Sequence, residues 1–468
     1  MSYDVVILGG GSGGYACALR ASQLGLSVVL IEADKVGGTC LHRGCIPTKA
    51  LLHAGEVADS ARHSAEFGIN ATFNGVDMTG VNSYKDGVIS RLYKGLSGLI
   101  KSRNVTFVEG YGKLISPNTV EVNGTQYTGK NVVLATGSYA KTLPGLDIDG
   151  KRVITSDQAL NMDYVPKSAI VLGGGVIGCE FASVWKSFGA EVTIIEGLPR
   201  LVALEDETSS KQLERAFRKR KIEFEVGSRF QSHTVNADSV TVNLENGKSF
   251  TAEVLLVAVG RGPVSAGIGY EEQGLNMDRG YVLVDNKCRT NVPGIWAVGD
   301  LIPTLQLAHV GFQEGIMVAE EIAGLNPQPI NYDGVPRVTY SEPEVASVGL
   351  TTAVAKERGY DIEEISYDLG GNGKSQILKT AGSIKIVQQK GGPVLGIHMV
   401  GARVGERGRR VAKALVPAAA DEKLIWPGRA FASATKSFTV FDGSDGCTTT
   451  SSGACASRLI GSKSFKGS

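Results

Sequence analysis

The residues best placed to do chemistry are two cysteines in the segment Gly37-Gly-Thr-Cys40-Leu-His-Arg-Gly-Cys45-Ile-Pro-Thr-Lys49. Four residues separate them, one a glycine, so the two sulfurs can come within bonding distance near a helix start. Helix N-termini lower thiol pKa values, which thiol–disulfide exchange requires. Lys49 falls one helical turn beyond Cys45, where a cation would stabilise a thiolate; on an ordinary helix it would be a solvated charge. The competing use of a cysteine pair is half a zinc site. No second Cys or Cys/His pair with ligand spacing exists to complete one, and His42 would bring the set only to three. No metal is expected.

A redox pair needs something to exchange electrons with, and the flanking sequence supplies candidates. Tyr3–Leu8 reads as a strand, Gly9-Gly-Gly11-Ser-Gly-Gly14 as a tight turn, and Tyr15–Leu24 as a helix; a second strand, Ser27–Ile31, ends at Glu32. In this arrangement Gly9 permits the turn, Gly11 lets backbone approach a pyrophosphate, and Gly14 lets the helix pack closely. The free N–H groups at the helix start attract phosphate, and Glu32 would accept from ribose hydroxyls. The pattern recurs in Ser168–Leu172, Gly173-Gly-Gly175-Val-Ile-Gly178, a helix Glu180–Phe188, and a strand Glu191–Ile195 ending at Glu196. First glycine and acid are equally spaced in both copies, 9 to 32 and 173 to 196. One copy is weak evidence, but two complete copies predict two bound dinucleotides. Three further strands end alike, at Gly137, Gly260 and Asp300, where ligands of open α/β sheets sit. A carboxylate at Glu196 favours the free 2′-hydroxyl of NAD over a 2′-phosphate; Arg200 lies near but off that position.

Bulk properties fit this frame. The chain has 468 residues, 61 of them Gly, and 48 basic against 47 acidic side chains, so nothing argues for nucleic acid or an anionic surface. No apolar run approaches the ~20 residues that span a bilayer, and nothing resembles a signal peptide. Seven scattered Cys are no secreted disulfide framework. A cytoplasmic enzyme of several domains is expected.

Taken together, Gly9-x-Gly11-x-x-Gly14, the Cys40-x4-Cys45 segment, Ala135-Thr-Gly137, Gly173-x-Gly175-x-x-Gly178-x-Glu180, Ala297-Val-Gly-Asp300 and Leu307-Ala-His309 resemble the class I pyridine nucleotide-disulfide oxidoreductases, and among them the dihydrolipoyl dehydrogenase group. Tyr340–Gly349 is similar to the start of that family's dimer-forming domain. The resemblance runs to about Glu406. It implies an α/β protein with two Rossmann-like dinucleotide-binding domains plus an α+β dimerisation domain: FAD-binding at 1–143, NAD-binding at 150–265, a central segment returning to FAD at 266–335, and the interface domain at 336–468. It implies FAD and NAD as cofactors, a homodimer, and dihydrolipoamide on an acyltransferase or lipoyl-carrier subunit as substrate. Carried over by position, Cys40 exchanges with substrate, Cys45 contacts the flavin, and Lys49 sits at the flavin paired with Glu180. Gly112, Thr136, Gly137, Asp300 and Ala308 line FAD; Gly173 to Glu180, Glu196 and Gly260 hold the nicotinamide cofactor.

The sequence also departs from the family. A C-terminal His-Pro-Thr that serves as acid/base is missing, since the last histidine is His398. From 407 onward there are ten Lys/Arg and four Asp/Glu, Pro417 and Pro427 would interrupt helices, and Cys447 and Cys455 fall in a Ser/Thr/Gly-rich run. The expectation is a shifted reading frame near 406, with a mercuric-reductase-like tail or a divergent, impaired enzyme as alternatives. Related alternatives are another flavin disulfide or mycothiol-type reductase, a diaphorase-like protein, or a non-catalytic FAD scaffold. His309 is expected to lie beside FAD through its backbone, His53, His63 and His233 on the surface, and Cys17 and Cys179 in the core.

Overall fold

The computed structural model describes residues 2–405; the tail with Cys447 and Cys455 lies outside them. The strand Ser2–Leu8 holds the centre of the first sheet because Val5, Val6 and Ile7 are wholly buried on both faces, as parallel strands require. It pairs in parallel with Val28–Glu32 on one side and Thr125–Leu134 on the other, and Thr106–Glu109 extends the first edge. Much later in the chain, Ile295–Ala297 returns to pair in parallel with Val132–Leu134. The following helix, Ala308–Ile322, then packs along Ser12–Gln23. Glycines set that contact: a Cβ on Gly315 would lie 2.1 Å from the Gly13 carbonyl oxygen. Arg20 and Glu320 pair across it at 2.6 Å.

The second sheet repeats the plan. Ser168–Leu172 lies between Glu191–Glu196 and Val254–Val257, with Ile222–Val226 and Val153–Ile154 outside, all parallel. Its helix Val176–Phe188 buries Phe181 and Trp185, rings 5.7 Å apart, against Val171, Ile194 and Phe217. An antiparallel three-stranded excursion spans Phe230–Val235, Val240–Leu244 and Ser249–Ala252. A five-stranded antiparallel sheet follows, ordered Arg337–Thr339, Glu344–Gly349, Val394–Gly401, Ser383–Gln389, Ile362–Asp368. It attaches to the second Rossmann unit through a buried pair: Lys385 Nζ stands 3.0 Å from Asp206 Oδ1. Burial pushes the Asp206 carboxyl up, but Lys385 and the Thr352 and Thr208 N–H groups outweigh it and hold the group down at about 2. The α/β class expected from the sequence is what folds.

Both nucleotide helices begin earlier than the sequence reading placed them, at Ser12 rather than Tyr15 and at Val176 rather than Glu180. In the first copy Gly13 and Gly14 disguise the start, since glycine is a poor helix former. There, and at Gly178, glycine is a steric requirement of the turn: a Cβ on Gly14 would sit 1.8 Å from the Gly9 oxygen, and one on Gly178 1.9 Å from the Gly173 oxygen.

Among the described residues, no helix is long and apolar enough to cross a membrane.

Candidate active site

Cys40 lies on a one-turn helix, Gly38–His42, and Cys45 is the first residue of the helix Cys45–Arg62. The intervening Gly44 closes the loop so that the two thiols share a hydrogen bond. That bond polarises the pair. It pushes Cys40 well above the usual thiol range, with burial adding to the rise, and it lowers Cys45, where the Lys49 charge assists. The two thiols therefore differ in acidity, Cys45 being the more acidic.

The pair is seated on the first nucleotide turn. Gly38 adopts φ +58°, and a Cβ there would stand 2.6 Å from Gly11 Cα. On the other side Lys49 Nζ lies 2.9 Å from both Glu180 oxygens, and Glu180 is buried on the helix that follows the second Gly-rich turn. Burial works against the Lys49 charge, but Glu180 outweighs it and keeps the ammonium protonated. Glu180 also accepts from the Tyr340 N–H at 2.9 Å, and Lys49 rests 4.5 Å from the Tyr340 ring centroid. The thiol helix, the second nucleotide helix and the segment at Tyr340 thus meet at one ammonium group.

The two Gly turns fit dinucleotides on their backbone geometry. Gly9 and Gly173 have φ +108° and +112°, and a Cβ on either would strike a strand-end carbonyl, Ala135 at 2.2 Å or Ala258 at 2.3 Å. The middle glycines differ. A Cβ on Gly175 would meet nothing within 4 Å, and one on Gly11 only Gly38 Cα at 4.0 Å, so the protein itself leaves that space clear. Neither helix start has a side-chain cap, which leaves N–H donors free for phosphate. Glu32 and Glu196 behave as twins. Glu32 accepts from the Gly10 N–H at 2.6 Å and the Asp34 N–H at 2.9 Å; Glu196 accepts from Gly174 at 2.6 Å and Leu198 at 2.7 Å. Each carboxylate braces its own turn and keeps lone pairs for ribose hydroxyls.

Other expected residues gather at the strand ends. Asp300, in the turn Gly299–Leu301, accepts from Ser138 Oγ; Arg261 Nε donates to the same Oγ at 2.7 Å and lies 3.9 Å from the carboxylate. Gly137 and Gly260 leave open space at their Cα positions. Ala308 opens its helix. Thr136 spends its hydroxyl on the Val264 carbonyl at 2.6 Å, next to the Tyr270 hydroxyl. A Cβ on Gly112 would meet the side-chain ends of Leu8, Val120 and Ile31 at 2.5, 3.0 and 3.2 Å, so this glycine faces the core. His309 Nε2 bonds the Pro336 carbonyl and is no free base. Cys17 and Cys179 are buried core residues.

Sequence reasoning missed Tyr340, Ser138, Arg261 and Glu314. Arg261 directly follows a strand-end glycine, and Glu314 is an acid inside the apolar stretch 308–319, two signals that were legible. Tyr340 and Ser138 carried none.

Two family models match the chain: the pyridine nucleotide-disulphide oxidoreductases over residues 3–315, and the dimerisation domain of the same family over 335–424. The chain belongs to this family. The second match runs past Glu406, where the sequence reading had ended the resemblance. Dihydrolipoyl dehydrogenase from Bacillus subtilis is 40% identical over 422 residues, covering 86% of this chain and 89% of its own. Mitochondrial dihydrolipoyl dehydrogenase 1 of Arabidopsis thaliana is 40% identical over 418 residues, covering 86% and 82%. The crystal structure of LpdA from Mycobacterium tuberculosis superimposes with a TM-score of 0.82 at 26% identity, over 88% of this chain and 92% of that one. The protein is an FAD-dependent, NAD-linked disulfide oxidoreductase with a dimerisation domain.

The clash at Gly178 gives a selective test of the second turn. Gly178→Ala forces the Gly173 carbonyl to move, at a cost of about 1–3 kcal/mol. If the second turn holds the nicotinamide cofactor and the first holds FAD, NADH then binds about 10- to 100-fold more weakly in equilibrium titrations while FAD stays bound.

Proposed function

We propose that this chain is a dihydrolipoyl dehydrogenase, oxidising dihydrolipoamide on an acyltransferase or lipoyl-carrier subunit and reducing NAD⁺. The observation that carries the reading is 40% identity to dihydrolipoyl dehydrogenases across most of the chain. The polarity of the thiol pair supports the order of events. A substrate thiolate attacks Cys40 Sγ of the Cys40–Cys45 disulfide, because the sulfur expelled is then Cys45, the one whose thiolate Lys49 stabilises, and lower-pKa thiols leave faster. The second substrate thiolate displaces Cys40 from the mixed disulfide. Lipoamide departs oxidised, Cys40 takes up a proton, and Cys45 remains a thiolate. Bound FAD and NAD⁺ supply a two-electron path that regenerates the disulfide and yields NADH and a proton. Through that cycle Lys49 keeps its charge against Glu180, and the Gly11 and Gly175 helix starts hold the phosphates.

Gly9, Gly11, Gly14, Glu32, Gly112, Thr136, Gly137, Asp300 and Ala308 make up the FAD site in this reading. Gly173, Gly175, Gly178, Glu180, Glu196 and Gly260 make up the NAD site. NAD rather than NADP is favoured because Glu196 ends the strand and Arg200 is committed to the Ala203 and Glu205 carbonyls at 2.6 and 3.2 Å. The division at 1–143, 150–265, 266–335 and 336–468 belongs to the same reading, as does a cytoplasmic homodimer whose partner completes each substrate site. Exposed Ile365, Tyr367 and Ile377 in the C-terminal unit offer apolar surface for that contact.

The test is a substrate comparison with the purified holoenzyme. NADH formation from dihydrolipoamide and NAD⁺ is expected to exceed turnover with glutathione disulfide, a mycothiol-type disulfide or Hg(II) in the NAD(P)H-consuming direction. Faster reduction of any of those three overturns the assignment.

A further inference from the structure

Glu314 is the most deeply buried carboxylate beside the candidate site, with no exposed surface. It projects from the helix Ala308–Ile322 toward the turn that carries Asp300. Its Oε2 accepts from the Gly299 N–H at 2.6 Å; its Oε1 receives the Thr304 hydroxyl at 2.8 Å and the Tyr332 hydroxyl at 2.9 Å. Three chain segments thus converge on one side chain: the turn bearing Asp300, the stretch following it, and the stretch leading into the C-terminal sheet. The charged and titratable neighbours are Asp300, Tyr332 and the buried Cys288 thiol. No cation is among them, so solvation of the carboxylate rests on these three donors.

The geometry points to Glu314 as a positioning residue of the flavin site, whose carboxyl group sets the placement of Asp300 and links it, through Tyr332, to the segment entering the C-terminal sheet. The inference rests on the reading that Asp300 holds the flavin. Its physical basis is that the Gly299 N–H is a fixed donor, whereas the two hydroxyls can turn. A carboxylate accepts from all three groups. A protonated carboxyl group still accepts from Gly299 and gives its own proton to one hydroxyl, which rotates to receive it. Both protonation states are therefore satisfied at this position, but with different hydroxyl orientations and different repulsion toward Asp300. Burial pushes the Glu314 carboxyl up to about 7, with the Asp300 charge adding to the rise and the three donors opposing it.

The experiment is a pH titration of the visible flavin band in the oxidised, FAD-saturated full chain, in which neither active-site thiol is free to titrate. The wild type is expected to show a spectral midpoint near pH 7, and Glu314→Gln to lose it. Tyr332→Phe removes a donor to the carboxylate and raises the midpoint; Asp300→Asn removes a like charge and lowers it. These opposite displacements decide the matter even if Glu314→Gln fails to accumulate. A wild type without a midpoint, or a Glu314→Gln protein that titrates like it, overturns the proposal. FAD affinity separates the two levels of inference. If Asp300→Asn weakens FAD binding about ten- to a hundredfold while the titrations are unmoved, the positioning role alone fails. If Asp300→Asn leaves FAD binding intact, the underlying reading of Asp300 fails and the proposal with it.

Discussion

Cys45→Ser ends dihydrolipoamide oxidation, with turnover falling on the order of 10⁴-fold or more, as losing a covalent nucleophile does elsewhere. The expectation follows from the difference in acidity within the pair. Cys45 is the sulfur that Lys49 and the Cys40 hydrogen bond stabilise as a thiolate, and a serine hydroxyl in its place neither forms the disulfide nor carries the charge. Cys40→Ser loses the same activity for the opposite reason, since no sulfur is left for the substrate to attack. Neither change touches the Gly turns or the Lys49–Glu180 contact, so both variants remain yellow and NADH still reduces the flavin. Steady-state turnover and a single anaerobic NADH titration check both halves. Turnover within tenfold of wild type in Cys45→Ser would falsify the thiol assignment.

The second large effect concerns the proton that must leave the substrate dithiol. No histidine follows His398 in the chain. His398 itself is buried in the C-terminal sheet, bonded through Nε2 to the Leu350 carbonyl at 3.0 Å, and burial lowers its pKa. His309 is bonded to Pro336. With neither of these histidines placed as a base, the thiol half-reaction is expected to run about 10²–10⁴ times slower than that of the Bacillus subtilis relative. Flavin reduction by NADH and electron delivery to quinones or dyes require no such base and should proceed at ordinary rates. Stopped-flow measurement of each half-reaction separates them, and a dithiol rate matching the relative's removes this prediction. A steep rise in that rate with pH, as substrate thiolate accumulates in solution, is the expected signature.

The sequence was most informative where one residue type has one physical use. The two Gly turns, their terminal acids and the Cys40–Cys45 spacing each answer to a local steric or electrostatic demand, and all were legible without coordinates. Strand positions followed from buried apolar runs. Helix starts did not, because the glycines that the tight turns require also look like breakers. The residues that were missed act across long separations: Tyr340 reaches Glu180, Arg261 reaches Ser138 and Asp300, and Glu314 gathers three segments. Such side chains are fixed by tertiary placement, which periodicity and spacing cannot express. Gly112 marks the converse limit, since a glycine assigned to cofactor contact also faces the core side chains of Leu8, Val120 and Ile31.

The triple engagement of Glu180 bears on how far such proteins can be rebuilt by exchanging modules. Its carboxylate belongs to the helix that would travel with a transplanted nicotinamide unit, yet it anchors a lysine from the thiol helix and a backbone amide from the C-terminal sheet. A chimera whose donor lacks an acid at that helix position would arrive with its cofactor preference intact and its redox centre unsupported. Recombination within this architecture is thus constrained at this side chain as well as at the Lys385–Asp206 pair, and a graft that inherits acid, ammonium and amide as a set keeps the contact.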